Sequence, residues 1–230
     1  SDIYEAKAAV LAAKENSKLP VICTMTFQQD GRTLTGTDVL TMVNILQNLG
    51  LDALGANCSL GPKEIMRLVD KLVRYSKIPV IIQPNAGLPK IQDGKTVYEI
   101  EPQEFSLYAK AMAQKGVTIL GGCCGTTPEH IRAVKNVLWG FSPGKRNVVD
   151  FTAASSYSKT VILTEGISII GERINPSGKP KMKQALRNRT YDYILKEAIK
   201  QRDAGAKIIN VNAGLPEIDE KQAMIELVTK

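Results

Sequence analysis

The chain has 230 residues, with 30 Lys and Arg against 23 Asp and Glu for a net charge of +7, and 43% of its residues are hydrophobic, the balance of an ordinary globular protein with room for one large domain or two small ones. It holds no uninterrupted apolar span of membrane length, and the opening "SDIYEAKAAV" offers neither a basic n-region nor an apolar h-region, so a cytoplasmic location is expected and a membrane partner is not. Nine Lys and Arg against three Asp and Glu fall between Lys179 and Lys207, which reads as a solvated helix face or an attractor for an anionic ligand; no recognition motif accompanies the charge, so nucleic acid is not the expected partner.

In chain order, "SDIYEAKAAVLAAKE" reads as a helix with no strand before it, and "LPVICTMTF" (19–27) as a strand. Val39, Met42, Val43 and Leu46 fall at i, i+3, i+4 and i+7, one face of a helix. "LDALGANC" (51–58) is the next strand, Ile65, Leu68, Val69, Leu72 and Val73 mark a second amphipathic helix, and "IPVIIQPNAG" (78–87) is a third strand. A helix over about 102–115 leads to the strand "VTILGGCC" (117–124). Thr127 as cap and Pro128 at the first helical position open a helix that runs to about Trp139.

Strands separated by single helices, each apolar enough for burial on both faces, predict a parallel β/α architecture, either a doubly wound sheet or a (β/α)8 barrel. Residues 141–166, rich in Pro, Gly and Ser, interrupt the pattern and read as an interdomain linker. Beyond them "ISIIGERINPSG" is a strand and its exit loop, 181–204 is mostly helical, "AKIINVNAG" is another strand, and a last helix begins near Asp219. "IIQPNAGLPKI" (81–91) and "IINVNAGLPEI" (208–218) echo one another across the linker. Either Asn, Gly and Pro are simply what strand exits use, or both halves carry ligand groups there. Four β/α units before the linker and two after it cannot close a barrel of eight, so the 230 residues look like an excerpt.

Three of the four cysteines fall at equivalent places. Cys58 ends one strand, and Cys123 with Cys124 end the strand two β/α units later. Adjacent cysteines make poor disulfide partners, and clustered thiols without a secretory signal more often mean metal or catalysis. At the carboxyl ends of parallel strands such groups project onto one face. Three thiolates suit zinc with a fourth position open; the plainer reading is three small buried residues. Cys23 sits within a strand and reads as core. His130, the single histidine, reads as helix surface or packing.

"GANCS" followed by "GGCCGTTPEHI" resembles the zinc site of the homocysteine S-methyltransferase family, which binds zinc through three such cysteines on a (β/α)8 barrel. The resemblance covers residues 1–140 and implies the second half of that barrel, with Cys58, Cys123 and Cys124 as zinc ligands and homocysteine as substrate. "IIGERINPSG" and "AGAKIINVNAGLP" are similar to the first two strands of pterin-binding barrels, so residues 167–230 would open a second TIM-type barrel, only partly present. Glu172, Asn175 and Asn212 match its pterin-binding positions, whereas Asn210 stands where that family usually carries aspartate. This order of modules resembles the cobalamin-dependent methionine synthases, and implies methyl transfer from 5-methyltetrahydrofolate through cobalamin, held by a module outside this chain, to zinc-activated homocysteine, giving methionine. By that reading the acidic residues for the homocysteine amino group precede residue 1, most of the pterin pocket follows Lys230, and the isolated 230 residues are not expected to turn over. A betaine- or S-methylmethionine-dependent homocysteine methyltransferase, or a non-catalytic zinc-binding fragment, would share the cysteine trio.

Overall fold

The computed structural model describes residues 2–229 and divides into two compact units, residues 1–160 and 161–230. In the first, helix α1 (Ile3–Asn16) begins where the Asp2 carboxylate accepts from the backbone N–H groups of Tyr4 and Glu5, filling donors that a helix start leaves unpaired. Strand β1 (Ile22–Met25) is followed by α2 (Val39–Leu46), which Asp38 caps by accepting from Thr41 N at 2.8 Å. The predicted stripe Val39, Met42, Val43 and Leu46 is fully buried. Then come β2 (Ala53–Asn57), α3 (Met66–Tyr75), β3 (Val80–Gln83), a hairpin of β4 (Lys90–Gln92) and β5 (Lys95–Val97), α4 (Pro102–Gln114), β6 (Ile119–Leu120) and α5 (Pro128–Leu138).

Strands β1, β2, β3 and β6 form one parallel sheet in that order, with Met25 beside Ala56, Asn57 beside Gln83 and Ile82 beside Leu120. The fold is therefore mixed α/β with a parallel sheet, open at β1 and β6 among the described residues. Four of the five β2 residues are buried, as expected for a strand covered on both faces. The core gathers Leu54, Ile82, Met42, Leu46, Leu72 and Met112, while Phe105, Ala109 and Val134 form a smaller cluster between α4 and α5.

The sequence overstates two features and misses a third. The fourth strand, expected over 117–124, pairs only at Ile119 and Leu120, because the glycines and cysteines after it leave the sheet as a loop. Residues 141–160 of the expected linker belong to the first unit and lie along it through polar bonds. Arg146 donates to the carbonyls of Ser76 and Ile78 at 3.2 and 3.1 Å, Val149 N donates to Arg74 O at 2.9 Å, and Ser155, in the short strand β7 (Ala153–Ser155), accepts from Asn44 at 2.8 Å. Without a periodic apolar pattern the segment is pinned by hydrogen bonds that composition does not reveal. The β4–β5 hairpin, turning through Asp93 and Gly94 at positive φ, carries no apolar alternation and was not expected.

Strand β8 (Thr160–Ile162) straddles the division. The second unit pairs β9 (Ile170–Ile174) in parallel with β10 (Ile208–Val211). The stretch 181–204 is two helices, α6 (Pro180–Arg187) and α7 (Asp192–Asp203), broken where Arg189 takes a φ of 52°. Helix α8 (Glu220–Val228) starts at Asp219, which accepts from Gln222 N at 3.0 Å. Ile174, Met182, Leu186, Ile194 and Leu227 make a separate core.

Candidate metal centre

The end of β2 turns sharply. Cys58 and Ser59 both take the left-handed conformation, with φ of 62° and 63°, a costly choice for residues with side chains, on the order of 1–3 kcal/mol each. Backbone bonds hold it: Cys58 N donates to Gln83 O at 2.9 Å, and Leu60 N donates to Cys58 O at 2.7 Å. Such strain is kept where the surroundings over-determine it, commonly at a functional site.

The double-cysteine loop after β6 is fixed by the exit of β3. Cys123 N donates to Pro84 O at 2.8 Å, and Ala86 N donates to Cys124 O at 2.9 Å. The side chain of Asn85, only 3% exposed, accepts from Cys124 N at 3.1 Å. Gly122 lies under Thr126; a Cβ there would come within 2.3 Å of Thr126 Oγ1.

These bonds bring three thiols together. Cys58 Sγ lies 3.6 Å from Cys124 Sγ, which lies 3.9 Å from Cys123 Sγ, and all three sulfurs fall within 4.8 Å of one another. Tetrahedral zinc with sulfur at about 2.3 Å sets sulfurs about 3.8 Å apart, so the donor set and its spacing fit that ion. Cys58 and Cys123 are half-buried and Cys124 is exposed, which leaves one side approachable. Burial, and then hydrogen bonds to the other two thiols, push the Cys123 thiol up to about 11. Hydrogen bonds from Cys58 and then Cys123 draw Cys124 below the ordinary thiol value. Thiols that share protons at such distances release them when a cation takes their place.

Tyr98, just after β5, lies with its ring across Gly125, where a Cβ would come within 2.4 Å of its Cγ; burial first, and then the nearby Cys124 thiol, raise its phenol above the usual value. Cys23 sits in β1 packed against the core, and burial raises its thiol. His130 is 6% exposed. Its Nδ1 accepts from Thr127 N at 3.2 Å, so Nε2 carries the proton and donates to Ile100 O at 2.8 Å; the ring stands edge-on to Phe105 at 5.4 Å. It is a packing residue that ties α5 to the segment before α4. Asn85 and Tyr98 were missed by sequence reasoning. The repeated "NAGLP" pointed at the strand exit that holds Asn85, and no sequence signal marks Tyr98.

In the second unit, Glu172 lies exposed in β9, and Asn175 and Asn212 follow the ends of β9 and β10. Asn212 N donates to Ile174 O at 2.9 Å, which brings the two strand exits side by side. The Asn175 carboxamide accepts from Ser177 N at 3.0 Å, and that of Asn212 from Gly214 N at 2.7 Å. Asn210, Asn212, Gly214, Glu220 and Lys221 line an open depression.

Among the described residues no helix is long and apolar enough to cross a membrane. The chain is 31% identical over 218 residues to a methionine synthase of Mycobacterium tuberculosis strain H37Rv, covering 91% of this chain and 18% of that protein. It is 32% identical over 223 residues to a methionine synthase of Mycobacterium leprae, again covering 91% of this chain and 18% of that one. The chain thus spans less than a fifth of the length of these curated relatives, and the matched portion exceeds what the first unit alone holds. Residues 1–138, which include all three converging cysteines, match the homocysteine S-methyltransferase family, and the chain belongs to that family.

Proposed function

We propose that the first unit carries the thiolate half of a homocysteine-activating zinc site, with Cys58, Cys123 and Cys124 as ligands. The strongest support is the convergence of three sulfurs, from two strand exits 65 residues apart in sequence, at spacings suited to one tetrahedral ion. Bound there, zinc would supply Lewis acidity that strips the proton from the homocysteine thiol and makes it a nucleophile at neutral pH. The chain's own residues do the rest of the preparation. The backbone at Gln83 and Pro84 and the side chain of Asn85 fix the directions of Cys58, Cys123 and Cys124, and the exposed side of Cys124 leaves room for the substrate.

On this reading the first unit is part of one (β/α)8 barrel and the second unit the opening of another. Glu172, Asn175 and Asn212 would meet the pterin of 5-methyltetrahydrofolate, whose edge alternates donors and acceptors that carboxylate and carboxamide groups can match. The whole protein would then pass the methyl group through cobalamin, held by another module, to homocysteine. The similarity to methionine synthases runs past the first unit, which favours this donor over betaine or S-methylmethionine.

X-ray absorption at the zinc edge of the zinc-loaded chain tests the reading. Three sulfur neighbours alone, rising to four with homocysteine, is the expected result. A sulfur count that ignores saturating homocysteine would leave a non-catalytic zinc site instead.

A further inference from the structure

We propose that His130 is a positioning residue of the thiol centre as well as a packing residue: through Ile100 and Ala86 it holds the loop that carries Cys124. The inference rests on the zinc reading above and adds to it a residue from the helix that follows the cysteine pair.

A buried imidazole in an apolar cluster needs a reason. His130 is 6% exposed, and its ring stands edge-on to Phe105 of the cluster between α4 and α5. Leucine or phenylalanine would fill such a space without taking two ring nitrogens out of water. Both nitrogens are engaged. Nδ1 accepts from Thr127 N at 3.2 Å and lies 2.9 Å from Thr127 Oγ1, which completes the capping box of α5. Nε2 donates to Ile100 O at 2.8 Å, and helix capping has no use for that bond.

The second bond joins a closed circuit. Ile100 N donates to Ala86 O at 3.0 Å, and Ala86 N donates to Cys124 O at 2.9 Å. From Cys124 the chain runs through Gly125 and Thr127 to His130. The double-cysteine loop is therefore anchored at both ends to one strip of backbone. Cys123 and Cys124 hold it to residues 84–86, and His130 holds it to Ile100. The strip is tightly packed. Gly87 takes a φ of 105°, and a Cβ there would come within 3.0 Å of Ile100 Cγ1, so the segment before α4 lies against the exit of β3.

Without the Nε2 bond, the far end of the loop would keep only its own helix cap. Cys124, the exposed member of the trio, would then depend on Asn85 and on an Ala86 no longer braced through Ile100. Outer partners that orient metal ligands cost about 10–100-fold in metal affinity when lost. His130 acts through two backbone bonds, so the low end of that range is expected.

The chain has a single histidine, so expression in a histidine auxotroph fed thiazolylalanine, without a histidine tag, alters position 130 alone. The analogue joined through its C4 atom keeps the ring and an acceptor at the Nδ1 place. Where Nε2–H donates it carries sulfur, which has no proton to give. Amide hydrogen exchange on the metal-free chain should quicken at Ala86, Ile100 and Cys124 while staying unchanged at Leu54 and Leu72 in the core. Retention of Co2+ against a chelator, followed by the cobalt–thiolate charge-transfer band, should weaken by roughly tenfold. A role in capping and packing alone moves neither. Should the analogue fold poorly, His130→Asn and His130→Gln replace it. Asparagine reaches only the cap and glutamine reaches Ile100 O, so retention should fall in the first and be kept in the second. Exchange and retention equal to the parent's in the folded analogue, or equal retention in the two amide variants, would overturn the role of His130 and leave the metal reading intact. A parent chain that binds neither cobalt nor zinc would overturn the metal reading, and this inference with it.

Discussion

The strand exits of the two units solve different problems with nearly the same residues. In "IIQPNAGLPKI" of the first unit, Asn85 is buried and spends its side-chain oxygen on Cys124 N, 39 residues away. In "IINVNAGLPEI" of the second, Asn212 is exposed and spends the same atom on Gly214 N, two residues on. The first is a tertiary tie that holds the double-cysteine loop; the second is a local turn of the kind asparagine forms almost anywhere. A short motif takes its role from what packs over it, and the double-cysteine loop is what packs over Asn85.

That contrast can be broken at several points. The largest effect belongs to the two cores. Leu54, fully buried in β2, should cost about 2–5 kcal/mol on replacement by alanine, and chemical denaturation should show metal retention falling with it. Ile194, equally buried in the separate core of the second unit, should cost a similar amount on replacement by alanine while leaving metal stoichiometry unchanged at temperatures where the first unit stays folded. Loss of metal from that variant would show that the units depend on each other.

Next is Asn85→Ala, which leaves a donor unpaired beside the site and should destabilise by about 1–3 kcal/mol. Metal retention should weaken with it, read by chelator competition. Proton coupling comes third. All four cysteines lie in the first unit, and the metal-free Cys123 thiol, pushed up to about 11, is protonated at neutral pH. Zinc must displace that proton, so affinity should fall about tenfold for each pH unit lowered and each proton displaced; titration calorimetry in buffers of different ionisation enthalpy counts the protons. An affinity independent of pH between about 6 and 8, where the Cys123 thiol of the metal-free chain holds its proton, would contradict the thiol assignment. The smallest effect is expected from Asn212→Ala, within about 0.5 kcal/mol in thermal unfolding, since it removes one exposed turn bond.

Much of this arrangement was legible before any coordinates. The buried stripe of α2, the cap at Thr127 and the placing of Cys58 and Cys123–Cys124 just past the carboxyl ends of β2 and β6 follow from periodicity and position, because those features are written locally. What the sequence withheld depends on contacts between distant segments. The loop form of 121–124 arises because Cys123 and Cys124 bond to the exit of β3 in place of continuing β6. The hold of residues 141–160 on the first unit runs through Arg146, Val149 and Ser155, none of which announces a partner. Tyr98 is set in place by a hairpin with no alternating pattern, and only the glycine it requires at position 125 is visible in the sequence, where it reads as one more glycine beside the cysteines. In the second unit the positions of Glu172, Asn175 and Asn212 were taken from resemblance, and the turn bonds of the two asparagines are what their residue type alone would also produce.

The proposed chemistry requires that three thiols from separate strand exits hold one metal ion. The most direct measurement is zinc per chain on reduced, folded protein, made in parallel on Cys58→Ser, Cys123→Ser, Cys124→Ser and Cys23→Ser. One zinc per chain is expected in the parent and in Cys23→Ser, with its loss in each of the other three. No zinc in the folded parent, or zinc kept in full by all three site variants, would contradict it.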